Sequence, residues 1–172
     1  HGIPSEIIDC YGTPMTQPDL VAEVLRRKPD VVAFSCTTSS FLEGNRIAEA
    51  IKTADSRIIS VFGGADACTM GAPLLDRFPA IDCLVLGEGE QTMLELVQAG
   101  FQGLGNIPGV AYRDSNGQAT QSAPRELIAN LDDLPFPAYH LLPGFPEKYK
   151  LPLFSSPTAP NSSIISSRGC PY

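Results

Sequence analysis

Tryptophan is absent from this chain, and histidine occurs only at His1 and His140. With so little imidazole, no histidine-based acid–base constellation can be assembled. His140 lies in a proline-rich stretch, where a structural or exposed role is expected. Cations are also scarce: 12 Lys and Arg against 19 Asp and Glu leave a net charge of -7. Such a balance argues against binding a nucleic-acid backbone, which needs clustered Lys and Arg, and against an anionic membrane surface. No apolar run approaches the roughly 18 residues of a membrane span. The opening His1-Gly2-Ile3-Pro4 lacks the basic and apolar regions of a secretion signal.

Paired cysteines are missing too. The chain has Cys10, Cys36, Cys68, Cys83 and Cys170, an odd count with no two at C-x-x-C spacing. A disulfide framework or a closed zinc site within the chain is therefore not expected. Cys10, Cys36 and Cys83 lie in or beside apolar runs and read as small buried hydrophobes of a cytoplasmic protein.

What is present is a well-patterned 172-residue chain, 43% hydrophobic, long enough for a real core. Four short runs are nearly continuous in hydrophobicity: "SEIIDC" (5–10), "DVVAFS" (30–35), "RIISVF" (57–62) and "CLVL" (83–86). Continuous runs imply strands buried on both faces, as in a parallel sheet covered by helices. Between and after them the 3.6-residue period predicts helices over about 16–28, 41–54, 72–78 and 90–99. Repeated β-α units imply a doubly wound, mainly parallel α/β fold. A hairpin is expected at 106–123, where "GVAYR" and "QATQ" flank Asp114-Ser115-Asn116-Gly117. Eight of the 16 prolines fall at or after Pro135, so 124–161 reads as an extended strap. The apolar "SSIISS" follows. This divides the chain into an α/β domain (1–105), the hairpin, the strap, and the start of a further domain (162–172).

Three loops should follow the carboxyl ends of strands, where open α/β sheets bind ligands. The first, "SCTTSS" (35–40), offers hydroxyls ahead of a helix. Plain capping of that helix by Thr38, Ser39 or Ser40 is the simpler alternative. The second contains Gly63, Gly64 and Ala65. The third, "GEGE", holds Gly87, Glu88 and Gly89 at a helix start, where acids suit the dipole. Simple turns and a well-capped helix would also explain these two.

In order, "KPDVVAFSCTTSS", "VFGGADAC", "IDCLVLGEGEQTMLELV", "NIPGVAYRDSNG", "LDDLPFPAYHLLP" and "ISSRGCPY" resemble the amino-terminal half of a cobalamin-binding radical S-adenosylmethionine protein. The resemblance covers nearly the whole chain. It implies a Rossmann-like or flavodoxin-like cobalamin-binding fold. It implies that Ser35, Thr37, Thr38, Gly63, Gly64 and Ala65 line a groove for the nucleotide tail of cobalamin, with Gly87, Glu88 and Gly89 near the corrin edge. It also makes Cys170 the first thiolate of a C-x-x-x-C-x-x-C motif, whose [4Fe–4S] cluster leaves one iron open for S-adenosylmethionine. One thiolate cannot hold that cluster, so cluster and S-adenosylmethionine belong to the parent enzyme, of methyltransferase or anaerobic cyclase type, and no catalytic residue is assigned in this stretch. The implied partners are a corrinoid and the parent's own radical S-adenosylmethionine barrel.

Two departures from the family are legible. The D-x-H-x-x-G loop that supplies a cobalt-ligating histidine in other cobalamin domains is absent. The family's first strand and helix also precede the segment matching "HGIPSEIIDC". In a sheet of order 2-1-3-4-5 that strand would separate 5–10 from 30–35, so these two runs are expected to pair directly and to leave an edge that promotes a homodimer. A flavodoxin-like module and a ligand-free regulatory α/β module are the rival readings. "SCTTSS" loosely resembles a flavin phosphate loop, but it does not follow the first strand, and no Trp is available to stack on a flavin. The resemblance predicts two further cysteines beyond Tyr172 in the parent gene; reading the coding sequence checks this, and a stop codon directly after Tyr172 would sink the enzyme reading.

Overall fold

The computed structural model describes residues 2–10, 12–149 and 168. Their contacts divide them into two units: Gln17–Leu131, and the described residues of 1–16 and 132–172. The expected strand "SSIISS" and Cys170 lie outside the described residues.

The larger unit is an open five-stranded sheet with strands in sequential order. It begins with α1 (Gln17–Arg27), whose Val24 is buried. The strand β1 (Val31–Ser35), the helix α2 (Phe41–Ala54) and the strand β2 (Ile59–Gly63) form a βαβ unit. Two short helices follow, α3 (Ala65–Met70) and α4 (Pro73–Arg77), and then β3 (Cys83–Val85). β1, β2 and β3 run parallel. After α5 (Gly89–Gln98), the hairpin of β4 (Val110–Arg113) and β5 (Ala119–Gln121) extends the same sheet, with β4 antiparallel to β3. The mostly parallel α/β architecture is the one the sequence pattern implies. Asp114 shapes the hairpin turn by accepting hydrogen bonds from the N–H groups of Asn116 and Gln118.

Alternation along the strands sorts side chains to two faces. On one face Phe62, Leu84 and Ala111 pack with Phe41 and Ala48 of α2, Ala67 of α3, and Leu74 and Leu75 of α4. On the other, Val61, Cys83, Val85 and Val110 pack with Leu96 of α5 and with Ile107. Helices thus cover both faces. Phe62 is fully buried; its ring stacks on Phe34 at 4.5 Å and meets the edge of Phe41 at 5.5 Å. Gly44 allows α2 to lie this close, since a Cβ there would sit 2.9 Å from Cys36 Sγ and 3.3 Å from the Phe62 ring. The expected helix at 90–99 forms, but its innermost residues are Thr92 and Leu96, with Met93, Leu94 and Val97 half-buried. The Thr92 hydroxyl avoids the cost of burial by donating to the Pro108 carbonyl at 3.1 Å.

The expectation for 5–10 fails. These residues form no strand, and β1 has β2 as its one neighbour among the described residues. β-propensity measures the fit to cross-strand neighbours, and an apolar run without them stays irregular. Within its own unit, 5–10 is grouped with residues 132–149 of the proline-rich strap. There Asp9 accepts a hydrogen bond from the Tyr149 hydroxyl, and Tyr139 stacks on Phe145 at 4.7 Å. The strap has two 3-10 turns, Leu131–Asp133 and Tyr139–Leu141, and Pro135, Pro137, Pro143 and Pro146 supply no N–H to a ladder. For the same reason Cys10 is exposed rather than buried, whereas Cys36 and Cys83 are buried as expected.

Truncating the central ring tests this account of the core. Phe62→Ala is expected to cost about 3–5 kcal/mol, a large share of the roughly 5–15 kcal/mol of a typical domain. Urea unfolding of both proteins measures it, and a loss below about 1 kcal/mol would show that the aromatic cluster does not organise the fold.

Candidate functional site

The carboxyl ends of β1, β2 and β3 lie side by side because their register aligns them. Ser35 is opposite Gly63, and Cys36 continues the ladder by donating its N–H to the Gly63 carbonyl at 3.1 Å. All three expected loops therefore leave one edge of one sheet, and the structure brings them together around α3. All nine residues expected from the sequence stand at this edge: Ser35, Thr37, Thr38, Gly64, Ala65 and Gly87 are exposed, and Gly63, Glu88 and Gly89 are half-buried.

The first loop is organised by its own hydroxyls. The Thr37 N–H donates to Ser40 Oγ at 3.1 Å, and Thr37 Oγ1 lies 3.0 Å from Ser39 Oγ. Capping does not occupy these groups: Ser40 holds the N-cap position of α2, yet its side chain makes no capping bond. Thr38 reaches the next loop instead, donating its hydroxyl to Asp66 Oδ1 at 2.8 Å. Beneath this loop the Cys36 thiol is raised above its ordinary value, chiefly by burial and further by the Asp66 charge, while a Ser40 hydrogen bond opposes the rise. Cys36 is thus a neutral packing group.

Gly63 and Gly64 serve different purposes. Gly64 has φ +102°, and a Cβ there would run into the carbonyl oxygen of Cys36. The protein itself requires this glycine, since the loops after β1 and β2 touch through it. Gly63 has no such constraint: the nearest atom to a Cβ would be the Val85 carbonyl oxygen at 3.7 Å, an ordinary contact. Its face of the sheet is the one α5 covers at β3, but at β1 the same face carries exposed Ala33 and Ser35. Ala33, Ser35 and Gly63 thus make a floor of small residues at the sheet's carboxyl edge. A flat or slender group can lie on such a floor with hydroxyls along its rim.

The third loop is tied on both sides. The Gly87 N–H donates to Cys68 Sγ at 3.2 Å, joining the loop to α3. Glu88 accepts the Ile128 N–H at 2.7 Å, so its carboxylate holds the segment after the hairpin. A second clasp lies one turn along α5. Arg125 donates to Thr92 Oγ1 at 2.6 Å and pairs with Glu95. The sequence pattern does not single out Asp66, Cys68 or Arg125 as site residues. An acid two positions after a double glycine, at a helix start, is the available clue for Asp66; Arg125 has none. No group of three or more His, Cys, Asp or Glu able to hold a metal occurs among the described residues. No described helix is long and apolar enough to cross a membrane.

Comparison with known proteins gives a consistent answer. The B12 binding domain family matches residues 1–97. An uncharacterized methyltransferase of Pyrococcus horikoshii is 34% identical over 97% of this chain and 35% of its own length. The anaerobic magnesium-protoporphyrin IX monomethyl ester cyclase of Rubrivivax gelatinosus is 29% identical over 96% of this chain and 30% of its own length. The chain thus spans about a third of these relatives. The fold is shared with the cobalamin-dependent S-adenosylmethionine radical enzyme OxsB, solved with aqua-cobalamin and S-adenosylmethionine bound. That likeness has a TM-score of 0.59 at 17% identity and covers 70% of this chain and 17% of OxsB.

The clasp on α5 makes a pH prediction. Hydrogen bonds from Arg125, then from Gln91, hold the Glu95 carboxyl below the usual carboxylate range. A folded-state value below the unfolded one adds stability that is complete above the unfolded value, about 4.3, and is lost as pH falls through the lower folded value. Arg125→Met should therefore melt below the parent at neutral pH, with the gap closing under acid. Thermal melts from about pH 7 to about pH 3 measure this, and a gap independent of pH would show that the ion pair is not its source.

Proposed function

The chain belongs to the B12 binding domain family, and from that premise we propose that it holds cobalamin at the carboxyl edge of β1–β3 and serves as the cofactor-carrying part of a larger radical S-adenosylmethionine enzyme. The floor of Ala33, Ser35 and Gly63 carries this reading. It offers a surface where side chains stop short, at the edge where α/β sheets take ligands, next to exposed hydroxyls. The nucleotide tail lies along that floor, lined by Ser35, Thr37, Thr38, Gly63, Gly64 and Ala65. Gly87, Glu88 and Gly89 stand near the corrin. Gly87 offers bare backbone there, with nothing within 4 Å of its Cβ position. Glu88 acts indirectly, by holding Ile128 and with it the loop. When bound, cobalamin supplies a cobalt centre able to carry a one-carbon group.

The whole enzyme is of methyltransferase or cyclase type, after the names of the relatives. Its [4Fe–4S] cluster and S-adenosylmethionine sit in a second domain that begins near Cys170, and it works in the cytoplasm. The outer edge of β1, with no strand beside it among the described residues, is where a further strand or a second copy of the chain pairs. The flavin alternative has less support, because a planar isoalloxazine needs aromatic walls and the exposed floor is built from Ala, Ser and Gly.

The test is a titration with aqua-cobalamin followed by absorbance. The chain should bind, and Gly63→Val should bind at least roughly tenfold more weakly while melting near the parent temperature, because the added side chain fills the floor and not the core. Equal affinities would remove Gly63 from the site, and absence of binding to the parent chain would overturn the reading.

A further inference from the structure

We propose that Asp66 is a positioning residue for the cobalamin tail: through Thr38 it sets both the gap between the loops after β1 and β2 and the polarity of the hydroxyl that faces the tail. This rests on the cobalamin reading above.

The two loops are joined at two points. On the backbone side, Gly64 packs against the Cys36 peptide. On the exposed side, Thr38 Oγ1 donates to Asp66 Oδ1 at 2.8 Å. The remaining hydroxyls of the first loop, on Thr37, Ser39 and Ser40, bond to one another and to the loop's own backbone. Among the described residues the Thr38–Asp66 bond is the side-chain tie across the gap. It also determines what Thr38 can recognise. A threonine hydroxyl has one proton and two lone pairs. The carboxylate takes the proton, so Thr38 presents only lone pairs outward. It is thereby suited to a donor on the ligand, such as a ribose hydroxyl, and unsuited to a phosphate oxygen. Asp66 stands in the first turn of α3, where the helix end favours its charge. A carboxylate facing the tail's phosphodiester directly would repel it, whereas here its role is to hold a neutral hydroxyl.

The experiment compares cobalamin with cobinamide, a corrinoid lacking the nucleotide tail, on the full chain and on D66A, D66N and T38V. The amide introduced by D66N keeps a carbonyl oxygen that can accept from Thr38, so this variant should bind cobalamin within about twofold of the parent. D66A and T38V should each bind cobalamin roughly tenfold more weakly, the scale of one hydrogen bond to a charged group. The double variant D66A/T38V should be no weaker than T38V alone, because once the Thr38 hydroxyl is gone Asp66 has no tie left to lose. Cobinamide binding should be unchanged throughout. Cobalamin binding by D66A equal to that of the parent would overturn the proposal. So would D66N falling with D66A, which would assign the effect to charge, or equal losses for both corrinoids, which would assign it to a loosened domain. A parent chain that binds neither corrinoid overturns the cobalamin reading itself, and this proposal with it.

Discussion

The parallel register of β1 and β2 is the constraint on which the site depends. Ser35 is set opposite Gly63, so the two strands end level and their loops emerge in contact. A slip of one residue would turn Ser35 and Ala33 to the aromatic face and bring Phe34 to the exposed one. The burial of Phe34 and Phe62 against each other makes that slip costly. The same hydrophobic packing that stabilises one face therefore fixes which small residues pave the other. Core and site are two consequences of a single alignment.

The neighbouring glycines show how closely fold and function adjoin. Gly64 permits the contact between the two loops, and its positive φ and crowded Cβ position are demands of the protein's own backbone. Gly63 meets no such demand, and its bare face is open to a ligand. Both belong to one double-glycine turn. Only the direction in which each missing side chain would point separates a structural requirement from the proposed binding surface.

Beyond the sheet, α5 ties the third loop to the segment after the hairpin. Glu88 holds Ile128 at the start of the helix, and Thr92 and Glu95 hold Arg125 along it. These bonds use charged donors or acceptors, which are stronger than neutral pairs. A shift of residues 125–128 would therefore be felt at Gly87, next to the proposed corrin edge. The chain covers about a third of its curated relatives, and this clasp gives a physical route between the proposed cofactor edge and the segment that leaves the sheet.

Much of this is legible in the linear sequence, because it depends on short-range patterns. The continuous apolar runs of β1 and β2, the 3.6-residue period of α2, and the Asp114–Gly117 turn state their structures locally, and the loops at the strand ends follow from connectivity alone. Residues 5–10 mislead because an apolar run carries no information about whether a partner strand lies beside it. The capping of α2 by Thr38, Ser39 or Ser40 is open in the sequence for a similar reason, since a hydroxyl's partner depends on what lies within about 3 Å of it. The division of labour between Gly63 and Gly64, the tie from Thr38 to Asp66, and the clasp of Arg125 on Glu95 all join residues through space. The Thr38 and Arg125 ties span 28 and 30 positions of sequence. Local pattern determined which elements form; only the packed sheet decided which side chains meet, because distance along the chain does not set distance in the fold.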